Sequence, residues 1–220
     1  MQHRGKYVIM RGSLEIPFFI MFPSILSEVV EYLNTLTIQV SESHEDGRVN
    51  SIDDEDTIID LLIHKYGEEN IEKPPARCWW DVKIFGHPIN IKSSKFGSAA
   101  DNFSSKAAIL YALTSIPEDE VTCSSWKSFQ EKLRYHSSQQ EPRDYYILVL
   151  NKVTKVVYLQ GLKSLNKLTS NGNNLPFQIK WKDNVFPVER TWNEAYDFLI
   201  ESYKDSVTKK ISSHNGYENL

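Results

Sequence analysis

The sequence predicts an α/β fold in which a central mixed β-sheet is flanked by helices. Apolar and polar residues alternate at 79–84 and again at 89–92, which is typical of two half-buried strands joined by a tight turn. Strongly β-prone residues at 145–150 and 155–162 predict two further strands. The first of these is apolar almost throughout, so we expect it at the centre of the sheet.

Apolar residues at helical spacing predict the flanking helices. The predicted helices run from Ser24 to about Leu36, from Asp53 or Asp54 to Tyr66, from Asp101 or Asn102 to Leu113, from Ser124 to Tyr135 and from Trp192 to Val207. Residues 41–51 are predicted as a loop, and Asn171–Asn174 as a turn or loop. The length of 220 residues suits one domain, which we divide into an N-terminal cap at 1–50, a core at 53–162 and a closing region at 163–220.

The composition is ordinary for a globular protein, with 40% hydrophobic and 12% aromatic residues. No run of about 18 apolar residues predicts a membrane span. The two cysteines form no CxxC pair, which fits a reducing cytoplasm. The histidines lack metal-ligand spacing, and no glycine-rich phosphate-binding motif or GxSxG motif occurs. These features leave zinc sites, P-loop nucleotide hydrolysis and serine hydrolase chemistry without support.

Charge is distributed unevenly along the chain, whose net charge is −4. Residues 42–72 are rich in acids, whereas residues 145–182 contain no acid. The second segment contains six lysines, at 152, 155, 163, 167, 180 and 182. Such a lysine run fits a phosphate-facing surface, because lysine and arginine supply most sequence-independent affinity for DNA. It fits a solvated sheet edge equally well.

The turn between the two strands at 79–92 decides which polar residues meet. Pro88 has no N–H and cannot close a two-residue loop by a hydrogen bond, so we predict a four-residue loop at 85–88. Asp81 then faces Lys92, and Lys83 faces Asn90, all on one face of the sheet.

A carboxylate beside a lysine on one sheet face suits metal-assisted cleavage of a phosphodiester. The carboxylate of Asp81 is a ligand that Mg²⁺ prefers, and bound Mg²⁺ activates water and neutralises phosphate charge. The ammonium of Lys92 could stabilise the transition state. The alternative is that Asp81 and Lys92 form a plain cross-strand salt bridge.

This stretch resembles the PD-(D/E)xK nuclease superfamily, to which most type II restriction endonucleases belong, and residues 89–114 resemble a segment of those enzymes. The resemblance implies that Asp81, Asn90 and Lys92 are catalytic. It also implies that Asp81, Asn90 and the backbone carbonyl of Ile91 bind Mg²⁺. The sequence departs from the family pattern at Asn90, where an acid is expected, and it has no proline directly before Asp81.

In this superfamily the helix before the hairpin often carries an extra acid. Glu55, Asp56 and Asp60 are the candidates here, with Asp60 or Asp56 the preferred ones. The alternative is that these acids only favour the helix N-terminus or face water.

The resemblance implies a single nuclease domain with a PD-(D/E)xK core and Mg²⁺-dependent, site-specific cleavage of double-stranded DNA by a homodimer. We expect DNA contacts from Ser93, Ser94, Lys95, Asn102, Lys106, Lys163, Lys167 and Asn173. One alternative is a repair or junction-resolving nuclease of the same fold. Another is a catalytically inactive nuclease fold that only binds nucleic acid.

Overall fold

The structure, a computed structural model, describes residues 22–36, 38, 47–76, 78–97, 100–103, 106–170 and 177–215, and the side chains within these ranges except at 47–52, 102–103 and 210–215. The helices are α1 (Ser24–Thr35), α2 (Gly47–Tyr66), α3 (Lys106–Leu113), α4 (Trp126–His136) and α5 (Trp192–Asn215). The strands are β1 (Ile71–Glu72), β2 (Val82–Ile84), β3 (His87–Ser94), β4 (Asp101–Phe103), β5 (Tyr146–Asn151), β6 (Val157–Gly161), β7 (Thr169–Ser170) and β8 (Phe177–Ile179). Short 3-10 helices cover Glu118–Glu120, Leu162–Ser164 and Trp181–Asp183.

A five-stranded mixed sheet in the order β1-β2-β3-β5-β6 forms the centre of the fold. β3 pairs with β5 in parallel, and the other neighbours are antiparallel. A parallel pair requires a long crossover, which α3 and α4 supply. Every residue of β5 is buried, so this strand is internal as predicted. The predicted α/β fold with a mixed sheet and flanking helices is confirmed.

Two apolar clusters sandwich this sheet. One lies under α1 and α2 and includes Val82, Ile84, Ile89 and Ile91 from β2 and β3. The other contains α3, residues of α4 and α5, and alternate residues of β5 from Tyr145 onward. Because successive strand residues point to opposite faces, Lys83, Asn90 and Lys92 face the second side, as predicted. Asp81 precedes β2 and does not follow this alternation, since Trp80 packs in the second cluster and Val82 in the first.

A second, three-stranded sheet has the order β4-β8-β7. Asp101 pairs with Ile179, and Phe103 pairs with Phe177. Phe177 and Ile179 are buried in the same cluster as α3. This packing holds the small sheet against the face of the central sheet that bears Asn90 and Lys92.

The predicted four-residue loop of the hairpin is wrong. The loop is Phe85-Gly86, with φ of 49° and 77°, and Ile84 pairs with His87. Positive φ at both positions is the requirement of a type I′ turn. Pro88 lies opposite Lys83, where an antiparallel ladder makes no hydrogen bond, so its missing N–H leaves no gap. The pairing differs from the predicted one by two residues, which keeps the side chains of the paired residues on their predicted faces.

Helix boundaries differ from several predictions. α2 begins at Gly47, within the predicted loop, and α5 continues to Asn215. α3 begins at Lys106 instead of Asp101 or Asn102, because 101–103 form β4. Ser24 is the first residue of α1 and not its cap, which is Pro23. The loop at 171–174 and most of the predicted cap at 1–50 lie outside the described residues. Across the described part of the chain, the helices lack the combination of length and apolar character that crossing a membrane requires.

Candidate active site

Asp81 lies directly before β2, at the point where this strand stops covering β3. Its N–H donates to the Ile89 carbonyl over 2.9 Å, although Ile89 pairs with Val82. Asp81 and Val82 therefore both lie opposite Ile89, which is the arrangement of a β-bulge. Such bulges redirect side chains. β2 pairs only with His87–Ile89, so the edge of β3 beyond Ile89 is open to the Asp81 carboxylate.

That open edge binds the carboxylate through the backbone. The Ile91 N–H donates to Asp81 Oδ2 over 2.8 Å. In a strand, the N–H and C=O of one residue point to the same neighbour, and successive residues alternate between neighbours. Ser94 follows this alternation, because its carbonyl accepts from Lys152 on the β5 side. The Ile91 carbonyl therefore points to the same edge as Asp81.

Asn90 lies beside Asp81. Its Nδ2 donates to Asp81 Oδ2 over 2.6 Å, and its side chain also hydrogen-bonds to that of Tyr145. Tyr145 is fixed in turn, because its hydroxyl donates to the Trp79 carbonyl over 3.0 Å. The Oδ1 atom of Asn90 is buried and has no hydrogen-bond partner within the described part of the chain.

Lys92 lies among carboxylates from three different elements. It interacts electrostatically with Asp81 before β2, with Glu55 on α2 and with Asp101 on β4. Among the described residues, no ion pair joins Lys92 to any of these acids, so the alternative of a plain salt bridge with Asp81 is not observed, and the side chain that hydrogen-bonds to Asp81 is that of Asn90. The catalytic role of Lys92 stays a prediction.

Burial and crowding of negative charge shift the acids of this site. Burial raises the pKa of Asp81, against the lowering effects of the Lys92 charge, the Ile91 N–H and the Asn90 amide. Burial, and then the charge of Asp81, raise the pKa of Glu55 to about 7. Burial is the largest cause of both shifts, and buried acids with shifted pKa values often lie at functional sites.

Glu55 is the acid of α2 that the structure brings to Asp81. Asp60 is instead exposed, and its carboxylate is 3.0 Å from the ammonium of Lys73. Asp56 is also exposed on the helix surface. The spacing along α2 could have identified Glu55, because Glu55 precedes the buried Ile59 and Leu62 by four and seven residues, on the same helical face.

Asp101 is an acid of this region that sequence reasoning missed. The prediction placed it at the start of a helix, whereas it lies in β4, where its carboxylate accepts a hydrogen bond from Trp181 Nε1. No local pattern in the sequence indicates this pairing, because Trp181 lies in a distant part of the chain.

One lysine of the predicted DNA-contact set is excluded by its surroundings. Lys163 is only 4% exposed. Its Nζ donates to the carbonyls of Glu141 and Arg143, at 2.5 and 2.6 Å. Lys163 therefore stabilises the fold by hydrogen bonds to buried backbone carbonyls, and its predicted role in DNA binding is wrong. Lys152 is also removed from the predicted lysine surface, because it forms a 2.8 Å ion pair with the buried Asp54.

The other residues predicted to contact DNA differ in exposure and in hydrogen bonding. Lys95 and Lys167 are exposed. The ammonium of Lys106 lies 5.6 Å from the ring centroid of Trp126. Ser94 Oγ accepts from the Phe96 N–H over 3.2 Å, and the Ser93 hydroxyl is buried without a hydrogen-bond partner among described residues. Asn173 and the side chain of Asn102 lie outside the described residues.

The donors available for a metal ion are mixed in type. Within the described ranges, no three His, Cys, Asp or Glu side chains form a group that could hold a metal. The oxygen donors around Asp81 are its carboxylate, the Asn90 amide and the Ile91 carbonyl, with Glu55 nearby. These are all hard donors, which suit Mg²⁺ and not zinc.

No family model matches this chain, and no curated protein matches it. Among solved structures, the chain is similar to a restriction endonuclease in complex with substrate DNA. The two share 23% identity over 57% of this chain and 54% of that chain, with a TM-score of 0.28. The chain thus spans about half the length of that neighbour.

Proposed function

We propose that the protein is a Mg²⁺-dependent nuclease that cleaves double-stranded DNA at specific sites, as type II restriction endonucleases do. The supporting observation is the position of Asp81. Its carboxylate is bound at the open edge of β3 by the Ile91 N–H, beside Asn90 and in the field of Lys92. This combination of a carboxylate, an oxygen donor and a lysine at one strand edge suits metal-dependent phosphodiester hydrolysis.

Mg²⁺ would be held by the Asp81 carboxylate, the Ile91 carbonyl and Asn90 Oδ1. The unpartnered Oδ1 of Asn90 supports this assignment. A buried acceptor without a partner costs about 1–3 kcal/mol, so a cation beside it would remove a penalty. The raised pKa values of Asp81 and Glu55 support it too, because burial disfavours the ionised carboxylates and a divalent ion beside them would favour that form.

Each residue of the site has a distinct task. Bound Mg²⁺ would supply an activated water and neutralise charge on the scissile phosphate. The ammonium of Lys92 would stabilise the negative charge that develops on the phosphate oxygens. Glu55 would contribute the second negative charge, which the family pattern places at the position that Asn90 occupies here.

Double-stranded DNA is the proposed partner, and a homodimer the proposed assembly. A two-fold symmetric dimer places one active site on each strand of a palindromic sequence. The exposed Lys95 and Lys167 would contact phosphates, since lysines at the backbone supply most of the sequence-independent affinity.

A catalytically inactive nuclease fold that binds DNA is the second candidate. It is favoured by Asn90, which replaces an acid and whose N–H groups satisfy the Asp81 carboxylate without a metal. In this case the site would be a structural hydrogen-bond network at the edge of the sheet.

Digestion of a mixed-sequence DNA separates these functions. The proposed enzyme yields discrete fragments with Mg²⁺ and none when EDTA is added. A smear would indicate a nuclease without site specificity. A gel shift in Ca²⁺ without any cleavage in Mg²⁺ would favour the inactive binding protein.

A further inference from the structure

Phe186 is a large apolar side chain that the fold leaves in water. It lies in a turn at 184–188 and is 80% exposed, although phenylalanine is among the residues most often buried. A single exposed apolar side chain is common on protein surfaces, so exposure alone does not indicate a contact site. The turn at 184–188 differs from an ordinary surface loop in how it is held and in the charges beside it.

Buried hydrogen bonds hold this turn on both sides of Phe186. Before Phe186, the Gln160 amide donates to the Asn184 carbonyl over 2.6 Å and to the next carbonyl over 3.1 Å. After Phe186, the Val188 N–H donates to the Ser164 carbonyl over 2.8 Å. The backbone that displays the aromatic ring is therefore fixed. Because little of the chain would have to be ordered, a contact made through this ring would cost little conformational entropy.

Asn184 also joins the turn to exposed lysines. Asn184 is only 2% exposed, and its Oδ1 accepts from the Lys167 N–H over 2.9 Å. Its Nδ2 donates to the Lys167 carbonyl over 3.0 Å and to the Lys180 carbonyl over 2.9 Å. Lys182 lies two residues before Asn184, and the side chains of Lys167 and Lys182 are both exposed. One buried amide thus holds Phe186 and these lysines in one surface region.

The turn is anchored on the face of the central sheet that bears Asn90. Asn90 pairs with Ile147 of β5, and Ile147 pairs with Gln160 of β6. Neighbouring strands lie about 4.8 Å apart, so the backbone of Gln160 is about 10 Å from that of Asn90. One turn of B-DNA is about 34 Å long. A duplex bound at Asp81 is therefore long enough to reach the turn at 184–188.

The charges around Phe186 favour a polyanion as its partner. Three lysines lie in or beside the turn, against two acids, which are Lys167, Lys180, Lys182, Asp183 and Glu189. The chain as a whole has a net charge of −4, so this excess of positive charge is local. In a two-fold contact between two copies of the chain, this surface would face itself and lysine would approach lysine, which is unfavourable.

We propose that Phe186 contacts double-stranded DNA, with its ring against base edges in a groove and Lys167 and Lys182 at flanking phosphates. Phenylalanine contacts thymine methyl groups in the major groove, and it inserts at base steps in the minor groove. Lysines at phosphates supply affinity without reading sequence. The proposal rests on the proposed function for the identity of the partner, and it does not depend on cleavage.

Binding of the full chain to a labelled mixed-sequence duplex in Ca²⁺, measured at several salt concentrations, tests this contact. We expect Phe186→Ala to weaken binding about 10-fold, the order expected when an aromatic contact with a base is removed. The log–log salt dependence should stay unchanged, because no charge is lost. Lys182→Gln should instead flatten that slope by about 0.9. The matched control is Tyr135→Ala, which removes an aromatic side chain that is 74% exposed on α4 and should bind like the wild type.

A photo-crosslink identifies the partner directly. With Phe186 replaced by p-benzoylphenylalanine, we expect irradiation to attach the chain to the labelled duplex, and the same replacement at Tyr135 should not. A crosslink to a second copy of the chain instead of DNA would overturn the proposal, as would wild-type binding by Phe186→Ala or no binding by the wild type. If the wild type binds the duplex but does not cleave it in Mg²⁺, the proposed nuclease function fails. The two measurements at Phe186 then still decide whether this residue contacts DNA.

Discussion

Asn90 Nδ2 donates a 2.6 Å hydrogen bond to Oδ2 of Asp81, which joins the side chains of the two adjoining strands at the centre of the candidate site. Hydrogen bonds to an ionised acceptor are about twice as strong as neutral ones. An acid at position 90 would instead repel Asp81 until a cation entered. Asparagine thus lets this site form without metal, and a bound cation has to compete with the amide for the same carboxylate.

Asn90→Asp should make the stability of the protein depend more strongly on Mg²⁺ than that of the wild type. Without metal, the second carboxylate replaces a hydrogen bond by repulsion and lowers the melting temperature. Mg²⁺ at about 100 times the Kd of this variant should then add about 2.7 kcal/mol, more than the same Mg²⁺ concentration adds to the wild type, whose Kd is higher. Thermal unfolding with and without Mg²⁺ measures the difference. Asn193→Asp, which adds the same charge at an exposed position of α5, is the control, and an equal Mg²⁺ response in both variants would contradict the assignment.

Asn90→Leu tests whether the amide oxygen is a metal ligand in the wild-type protein. The leucine side chain is similar in size but offers no oxygen. We expect the Mg²⁺ concentration for half-maximal cleavage to rise, or activity to be lost. A Mg²⁺ titration identical to that of the wild type would mean that Asn90 is not a ligand, and the second oxygen donor would then have to be Glu55.

Glu55 should make the metal-free protein less stable as the pH rises. Its pKa is raised from 4.5 to about 7, so between these values the folded protein holds a proton that the unfolded chain has released. The contribution of Glu55 to stability is therefore lost as the pH increases through that window.

Glu55→Gln cannot release a proton and should lack this loss. Urea unfolding in EDTA at several pH values from 4.5 to 8 compares the two proteins, with Glu31→Gln on the exposed face of α1 as the control. The unfolding free energy of the wild type, relative to Glu55→Gln, should fall between pH 4.5 and 7. Parallel curves would show that the pKa of Glu55 is not raised in the folded protein.

The lysines that were predicted to face DNA should fall into two groups, those that contact phosphates and those that stabilise the fold. Changing the exposed Lys95 and Lys167 together to Gln should flatten the log–log salt dependence of DNA binding by about two units, at about 0.9 per phosphate contact. Lys163→Met should leave this slope unchanged and instead lower stability by about 1–3 kcal/mol for each carbonyl it leaves unpaired, because the buried carbonyls of Glu141 and Arg143 lose their donor. An unchanged slope in the double variant would mean that these two lysines are only solvated.

The sequence predicted which face of the hairpin is polar but not which residues are opposite each other. Side-chain direction repeats every two residues, so a register shifted by two satisfies the same pattern. The turn decided the register through a positive φ at Phe85, a residue type for which no sequence rule predicts that conformation. The predicted loop assumed that Pro88 would need its N–H for a ladder hydrogen bond. In the structure Pro88 occupies a position of the ladder that makes no hydrogen bond.

Tertiary packing brought together residues that the sequence could not place. Glu55 lies near Asp81 because α2 and β3 pack in one apolar cluster, and Asp101 lies in a small sheet that packs in the other cluster. Lys163 was predicted at the surface because lysines usually lie there. Two backbone carbonyls, of Glu141 and Arg143, make its burial possible, and no local pattern predicts them.

Asp81 is the main ligand of the proposed metal-dependent nuclease centre. Mg²⁺-dependent DNA cleavage by Asp81→Ala tests it most directly, with Asp60→Ala as a control that removes an exposed acid paired to Lys73. We expect Asp81→Ala to lose cleavage while its gel shift in Ca²⁺ is retained, and Asp60→Ala to cleave like the wild type. Undiminished cleavage by Asp81→Ala would contradict the assignment.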